Sequence, residues 1–199
     1  MLKPTQTSPF AGAARRCVAV AGAALTALGL FALPVLGARR AAHAADACPG
    51  SSLIPDRSDL AAVDNTLVCL INGERALSGL APLASERGLT GAAVRHSRDM
   101  IRHDYFADLP PADASALQVV SAAGYPCPPC SAGVNVAWGV GQLATPRAIV
   151  NAWMASPPHR ANLLSAVFRA TGIGLAIGHP RAVWPGGGGV TVTQVLAGA

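Results

Sequence analysis

Few side chains in this sequence could do chemistry, and the most constrained of them is His159, in SPPHRANLL at 156–164. Pro157 and Pro158 predict an extended backbone running into the histidine, and the RANLL run predicts a helical turn resuming straight after it. An imidazole fixed at such a corner can ligate a metal, serve as a general base, or staple two elements by hydrogen bonds. His96 shares a stripe with Leu89, Ala93 and Met100 at helical spacing, which predicts a half-buried, hydrogen-bonded histidine rather than a ligand. His103 falls at a helix end, five residues before Asp108, and is expected to face solvent.

Nucleophiles are scarcer still. No serine sits in a G-x-S-x-G elbow, and the glycine run at 186–189 precedes no helix, so it is not a phosphate-binding loop. Besides Cys17, the chain holds Cys48, Cys69, Cys127 and Cys130, an even number that in an exported chain predicts disulfides. Sequence allows three pairings. The preferred one joins Cys48 to Cys69, tying an N-terminal segment to the first helix, and Cys127 to Cys130 across a tight loop. CPPC also has redox or zinc spacing, but no second CxxC and no strand-to-helix context accompany it.

Export is expected from the N-terminus. Lys3, Arg15 and Arg16 precede an uncharged Ala, Leu, Val and Gly stretch at 17–38, and Ala42-His43-Ala44 offers a small-residue cleavage site. The reading is a secretory leader over 1–44, with a membrane association only if that leader stays uncleaved as an anchor. AARRCVAV is a loose match to a twin-arginine signal, and Ala45-Asp46-Ala47 makes a poor lipobox before Cys48. The leader also explains the formal charge of +5: five of the 15 basic residues lie in it, leaving ten arginines against ten acidic residues. With no cationic excess beyond the leader, nucleic acid is rejected as a partner.

The elements that must position these groups run helices first, strands last. Ser58 is the expected N-cap of a helix through AAVDNTLVCLINGERAL, with Leu60, Val63, Leu67, Leu70 and Ile71 on its core face and Gly79 as its stop. Ser85 is the expected cap of a second helix carrying His96. Asp113 to Ala123 reads as a third helix, ended by Gly124. Thr145-Pro146 opens a fourth, RAIVNAWMA, in which Ile149 and Trp153 stack at i and i+4. TGIGLAIG at 171–178 and VTVTQVLAG at 190–198 read as antiparallel strands joined by a Pro and Gly rich loop. One domain with one core is expected over 59–199, preceded by the tied segment 45–58.

Taken in order, LVCLINGERALSGLAPL, VRHSRDMIRHDYFAD, AGVNVAWG, TPRAIVNAWMASPPHRANLL, FRATGIGLAI and VTQVLAG resemble the secreted bacterial branch of the CAP superfamily (cysteine-rich secretory proteins, antigen 5, pathogenesis-related proteins). The resemblance runs from about Asp59 to the C-terminus. It implies an α+β fold, a three-layer α-β-α sandwich around a twisted antiparallel sheet. It also implies a cleft with two histidines and a glutamate, joined by a second glutamate in eukaryotic members, able to hold a divalent cation.

His159 matches one of those histidines. Asp108 stands at the other histidine position, Val134 at the glutamate position, and Ser156 near the eukaryotic glutamate position. Asn135 and Gln194 are expected to support the cleft, with Gln194 reaching the histidine from the sheet. Only His159 and Asp108 remain as weak metal candidates, and two ligands rarely hold zinc or calcium. No cofactor is expected beyond that weak divalent-cation possibility. The expectation is a secreted, non-enzymatic protein binding lipid, cell-envelope material or another protein. The competing class is a metal-assisted hydrolase using His159 and Asp108.

Overall fold

The valines and threonines alternating in VTVTQVLAG form a strand, Val190–Gly198, in which every residue is buried. Such burial on both faces means helices cover the sheet from two sides. This computed structural model describes residues 48–111, 115–126, 130–181 and 188–198. The expected leader at 1–44, the start of the third helix at Asp113, the tip of the Pro and Gly rich loop, and Cys127 lie outside them.

In chain order the elements are α1 (Leu60–Leu77), β1 (Ala84–Ser85), α2 (Arg87–Arg102), α3 (Ala116–Ala122), β2 (Ser131–Gly139), a 3-10 turn (Gly141–Ala144), α4 (Pro146–Ala155), α5 (Pro157–Leu163), β3 (Ala170–Ile177) and β4 (Val190–Gly198). The sheet order is β1-β3-β4-β2. β4 pairs antiparallel with both β3 and β2, while β1 adds two residues parallel to β3.

Alternation along the strands sorts the core into two layers. Ile173, Leu175, Val192 and Leu196 meet Val63, Leu67, Ile71, Ile149 and Trp153 of α1 and α4. Val195 and Ala197 meet Leu89 and Ala93 of α2 and Val119 and Val120 of α3. The result is the expected three-layer α-β-α sandwich. Helix α2 lies close on the sheet because β3 is bare there: a Cβ on Gly172 or Gly174 would come within 2.0 Å of α2 backbone nitrogens.

Several helix ends differ from expectation. Ser58 does not cap α1; its backbone N–H and hydroxyl both turn back to Asp56 Oδ1 at 2.6 Å, and the capping position falls to Asp59. Ser85 is spent in the β1 pairing with Thr171, so Glu86 precedes α2. Gly79 does stop α1, with φ +72°, and Leu80 N–H closes back on Arg75 O at 2.9 Å. Thr145 caps α4 as expected, accepting from Ala148 N–H at 3.3 Å with Pro146 following it.

Two structural devices fasten α1. Cys48 and Cys69 form the expected disulfide. Arg75 is fully buried, with no carboxylate paired to it among the described residues; its guanidinium donates to the carbonyls of Ala81, Leu163, Ser165 and Phe168, so α1 holds the chain just before β1 and from the end of α5 to the approach of β3. Burial, and then the neighbouring Arg169, push the Arg75 pKa down.

Candidate functional site

The corner at His159 is built differently from the sequence expectation. Only Ser156 is extended (φ −96°, ψ 114°); Pro157 opens α5 and His159 already lies inside it. Prolines at the first helical positions bring their helical φ and lack only N–H groups that would have been unpaired anyway, which is why the helix starts before the histidine. α5 therefore presents His159 from a rigid turn. Its side chain is 24% exposed, and Nε2 stands 3.7 Å from Asp108 Oδ1.

Asp108 comes from the opposite layer, in the loop after α2. That loop is pinned by His96, whose Nε2 donates to Ala107 O at 2.9 Å. His96 is buried, as its apolar stripe foretold, and burial pushes its pKa down, keeping the ring neutral. Tyr105 adds a second tie: its hydroxyl donates to Asp99 Oδ2 at 2.6 Å and lies 3.3 Å from His96 Nδ1. The Tyr105 bond, and then His103 at 2.7 Å from Asp99 Oδ1, hold the Asp99 carboxyl below its ordinary pKa. His103 itself faces solvent, as expected. Nothing in the sequence singled out Tyr105, because its value lies in a fold-back contact across nine residues.

Between these layers runs β2, at the edge of the sheet. Val134 is buried there against Met100 and Val136, with Tyr105, Leu109 and Ala116 packed around them. The position where the resemblance implies a glutamate is thus apolar in surroundings as well as in identity. Ser156 is half-buried at the start of α5 and engages through its backbone, its N–H donating to Trp153 O at 3.1 Å and its carbonyl accepting from Arg160 N–H at 2.8 Å.

The other face of β2 carries a polar chain. Asn162 of α5 donates to Val134 O at 3.2 Å and to Asn135 Oδ1 at 2.9 Å. Asn135 Nδ2 in turn reaches Gln194 Oε1 at 3.0 Å and His159 O at 3.3 Å. Gln194 Nε2 passes on to Thr171 Oγ1 at 3.2 Å, and that hydroxyl donates to Val195 O. Gln194 does not reach the imidazole; it supports His159 through Asn135 and the α5 backbone, since Asn135 stands directly opposite it on β2.

The arrangement brings His159 and Asp108 together, while the Val134 side chain packs in its apolar cluster with Met100 and Val136. Among the described residues no group of three or more His, Cys, Asp or Glu side chains is placed to hold a metal ion. Next to the Asp108 loop a pocket of about 330 Å³ opens, lined by Ala92, Arg95, His96, Asp99, Pro110, Val119 and Ala122. Cys130 is disulfide-bonded, and its expected partner Cys127 is outside the described residues.

Known proteins share this frame. Residues 68–194 match the CAP family, the cysteine-rich secretory protein family. The uncharacterized protein YkwD of Bacillus subtilis (strain 168) is 34% identical over 117 residues, covering 59% of this chain and 44% of that protein. An extracellular SCP-domain protein from Bacillus anthracis superposes with a TM-score of 0.57 at 21% identity, covering 73% of this chain and 44% of that one. An outer surface protein from Borrelia burgdorferi gives a TM-score of 0.51 at 15% identity, covering 72% of this chain and 95% of that one. The chain therefore spans under half the length of the two Bacillus proteins.

Proposed function

The chain belongs to the CAP family of cysteine-rich secretory proteins, and from that premise we propose that it is an extracellular binding protein rather than a hydrolase. Its ligand class is lipid, cell-envelope material or another protein, taken at the His159 cleft and the pocket beside the Asp108 loop. The observation that carries this reading is Val134. A side chain 7% exposed, packed on Met100 and Val136, fills the place where a third polar group would complete a metal or acid-base set. Export is supported by the expected leader, by a disulfide suited to an oxidising compartment, and by the extracellular and outer-surface descriptions of the structural neighbours. No helix among the described residues is long and apolar enough to cross a membrane.

The 3.7 Å approach of His159 to Asp108 favours a second reading, metal-assisted hydrolysis by that pair. Calorimetric titration of the purified protein with Zn²⁺ and Ca²⁺, followed by a screen of envelope lipids and glycans with and without metal, separates the two. Ligand capture without stoichiometric metal uptake is expected. Tight 1:1 metal binding would overturn the binding-protein reading. Intact-mass analysis of protein recovered outside the cytoplasm should give a chain starting near Ala45, and a full-length mass in the membrane fraction would point to an anchor instead.

A further inference from the structure

A second pocket, of about 360 Å³, lies away from the cleft, between the start of α1, the end of α2 and the last residues of β3. Its apolar part is Leu60, Ile101, Leu175, Ala176 and Ile177, of which Leu175 and Ala176 are buried. The remaining lining residues are Arg57, Arg98 and Arg102, all exposed. None of the described residues lining it is acidic.

Those three guanidinium groups have no carboxylate within ion-pair distance among the described residues. Asp99, on the same helix, is taken by Tyr105 and His103, and Asp56 and Asp59 are engaged in the turn before α1. Arg98 and Arg102 sit at i and i+4 on α2, a like-charge spacing that weakens a helix rather than helping it. Leu60 is also the first residue of an 18-residue helix whose start has no side-chain cap, so the positive end of α1 opens beside the pocket.

We infer that this pocket binds an amphiphile with a phosphate head and a short alkyl body. The apolar floor takes the chain and the arginines take the head. A phosphomonoester fits the rim better than a carboxylate does, because it offers three acceptor oxygens and close to two charges to three fork-shaped donors. The site shares no residue with the His159 cleft, so its fate is independent of the reading given above.

The test is calorimetry on the purified protein at low salt with dodecyl phosphate, dodecanoate and dodecyl maltoside, each below its micelle concentration. Dodecyl phosphate should bind 1:1, at least roughly fivefold tighter than dodecanoate, with dodecyl maltoside weaker than both. The double variant Arg98→Glu/Arg102→Glu should lose at least about tenfold in affinity. Ile101→Trp, which fills the apolar part with every arginine kept, should lose a similar amount, and Arg87→Glu, an exposed arginine at the opposite end of α2, should lose none. Melting curves confirm that each variant is folded. Absent binding, affinity unchanged in both pocket variants, or equal affinity for dodecyl maltoside would overturn the site, and equal affinity for dodecanoate would overturn the phosphate assignment.

Discussion

Asn135 and Gln194 face each other in register on β2 and β4, and the Asn135 amide joins the sheet to α5 by donating to both Gln194 Oε1 and His159 O. Both side chains are fully buried, so every bond in this chain replaces one that water would have made. Asn135→Val would strand Gln194 Oε1 and leave the Asn162 amide with Val134 O alone. A loss of about 2–4 kcal/mol is expected in urea unfolding, with unfolding midpoint and slope both recorded. A loss below about 1 kcal/mol would mean that water replaces the asparagine.

That same pair shows where the sequence was legible and where it was not. α1, α2 and α4 were readable because each packs one stripe on the sheet, and their apolar spacing survives as the buried sets Val63, Leu67, Ile71 and Leu89, Ala93, Met100. β3 and β4 were readable as runs of small and β-branched residues. β2 was not read as a strand from its residues. In VNVAW both faces are buried, Val134 and Val136 against Met100 and Asn135 against Gln194 and Asn162, so alternation carries no inside-outside signal. The cap serines misled because Asp56 and the β1 pairing claimed Ser58 and Ser85, partners that no local pattern announces. Of the site, His159 and Asp108 stand together as the family resemblance implied, whereas the Tyr105 tie and the Arg75 hub depend on contacts made only after folding.

The Cys48–Cys69 bridge closes a loop with a sequence separation of 21. On the chain-entropy account such a loop constrains the unfolded chain by roughly 3 kcal/mol. Reduction, or Cys69→Ala, should lower the melting temperature correspondingly, while free-thiol labelling of the native oxidised protein should find neither cysteine.

Asp64 on α1 gives the protein a pH dependence of definite sign. Burial pushes its pKa from 3.8 up to about 6, so between those values the folded state holds a proton that the unfolded chain has released. Stability from this group is present below the unfolded value and falls as pH rises toward 6 and beyond. Asp64→Asn should therefore stabilise the protein by about 1–2 kcal/mol at pH 7, after allowance for partial solvent screening, and make little difference near pH 4. His96 works in the opposite direction: its lowered pKa removes stability as pH falls below the unfolded value of about 6.5. Comparing melting temperatures of the two proteins from pH 4 to 8 isolates the Asp64 contribution, and a constant difference across that range would contradict it.

Installing at the cleft the polar set that the family resemblance implies tests the assignment of Val134 to the glutamate position. Asp108 is 59% exposed in its side chain, so Asp108→His should cost less than about 1 kcal/mol. Val134→Glu is different, because the new carboxylate would enter the cluster of Met100, Val136 and Tyr105, and a cost of several kcal/mol is expected in the absence of metal. Zinc should recover part of that loss in Asp108→His/Val134→Glu, since His159 already stands 3.7 Å from position 108 and binding to the folded state alone raises stability. The measurement is the melting temperature of the double variant, of Val134→Glu alone and of the unmodified protein, each with and without Zn²⁺. A zinc-dependent rise confined to the double variant is expected. An equal rise in the unmodified protein would show that His159 and Asp108 suffice as ligands, and no rise in a folded double variant would show that position 134 cannot turn a side chain toward His159.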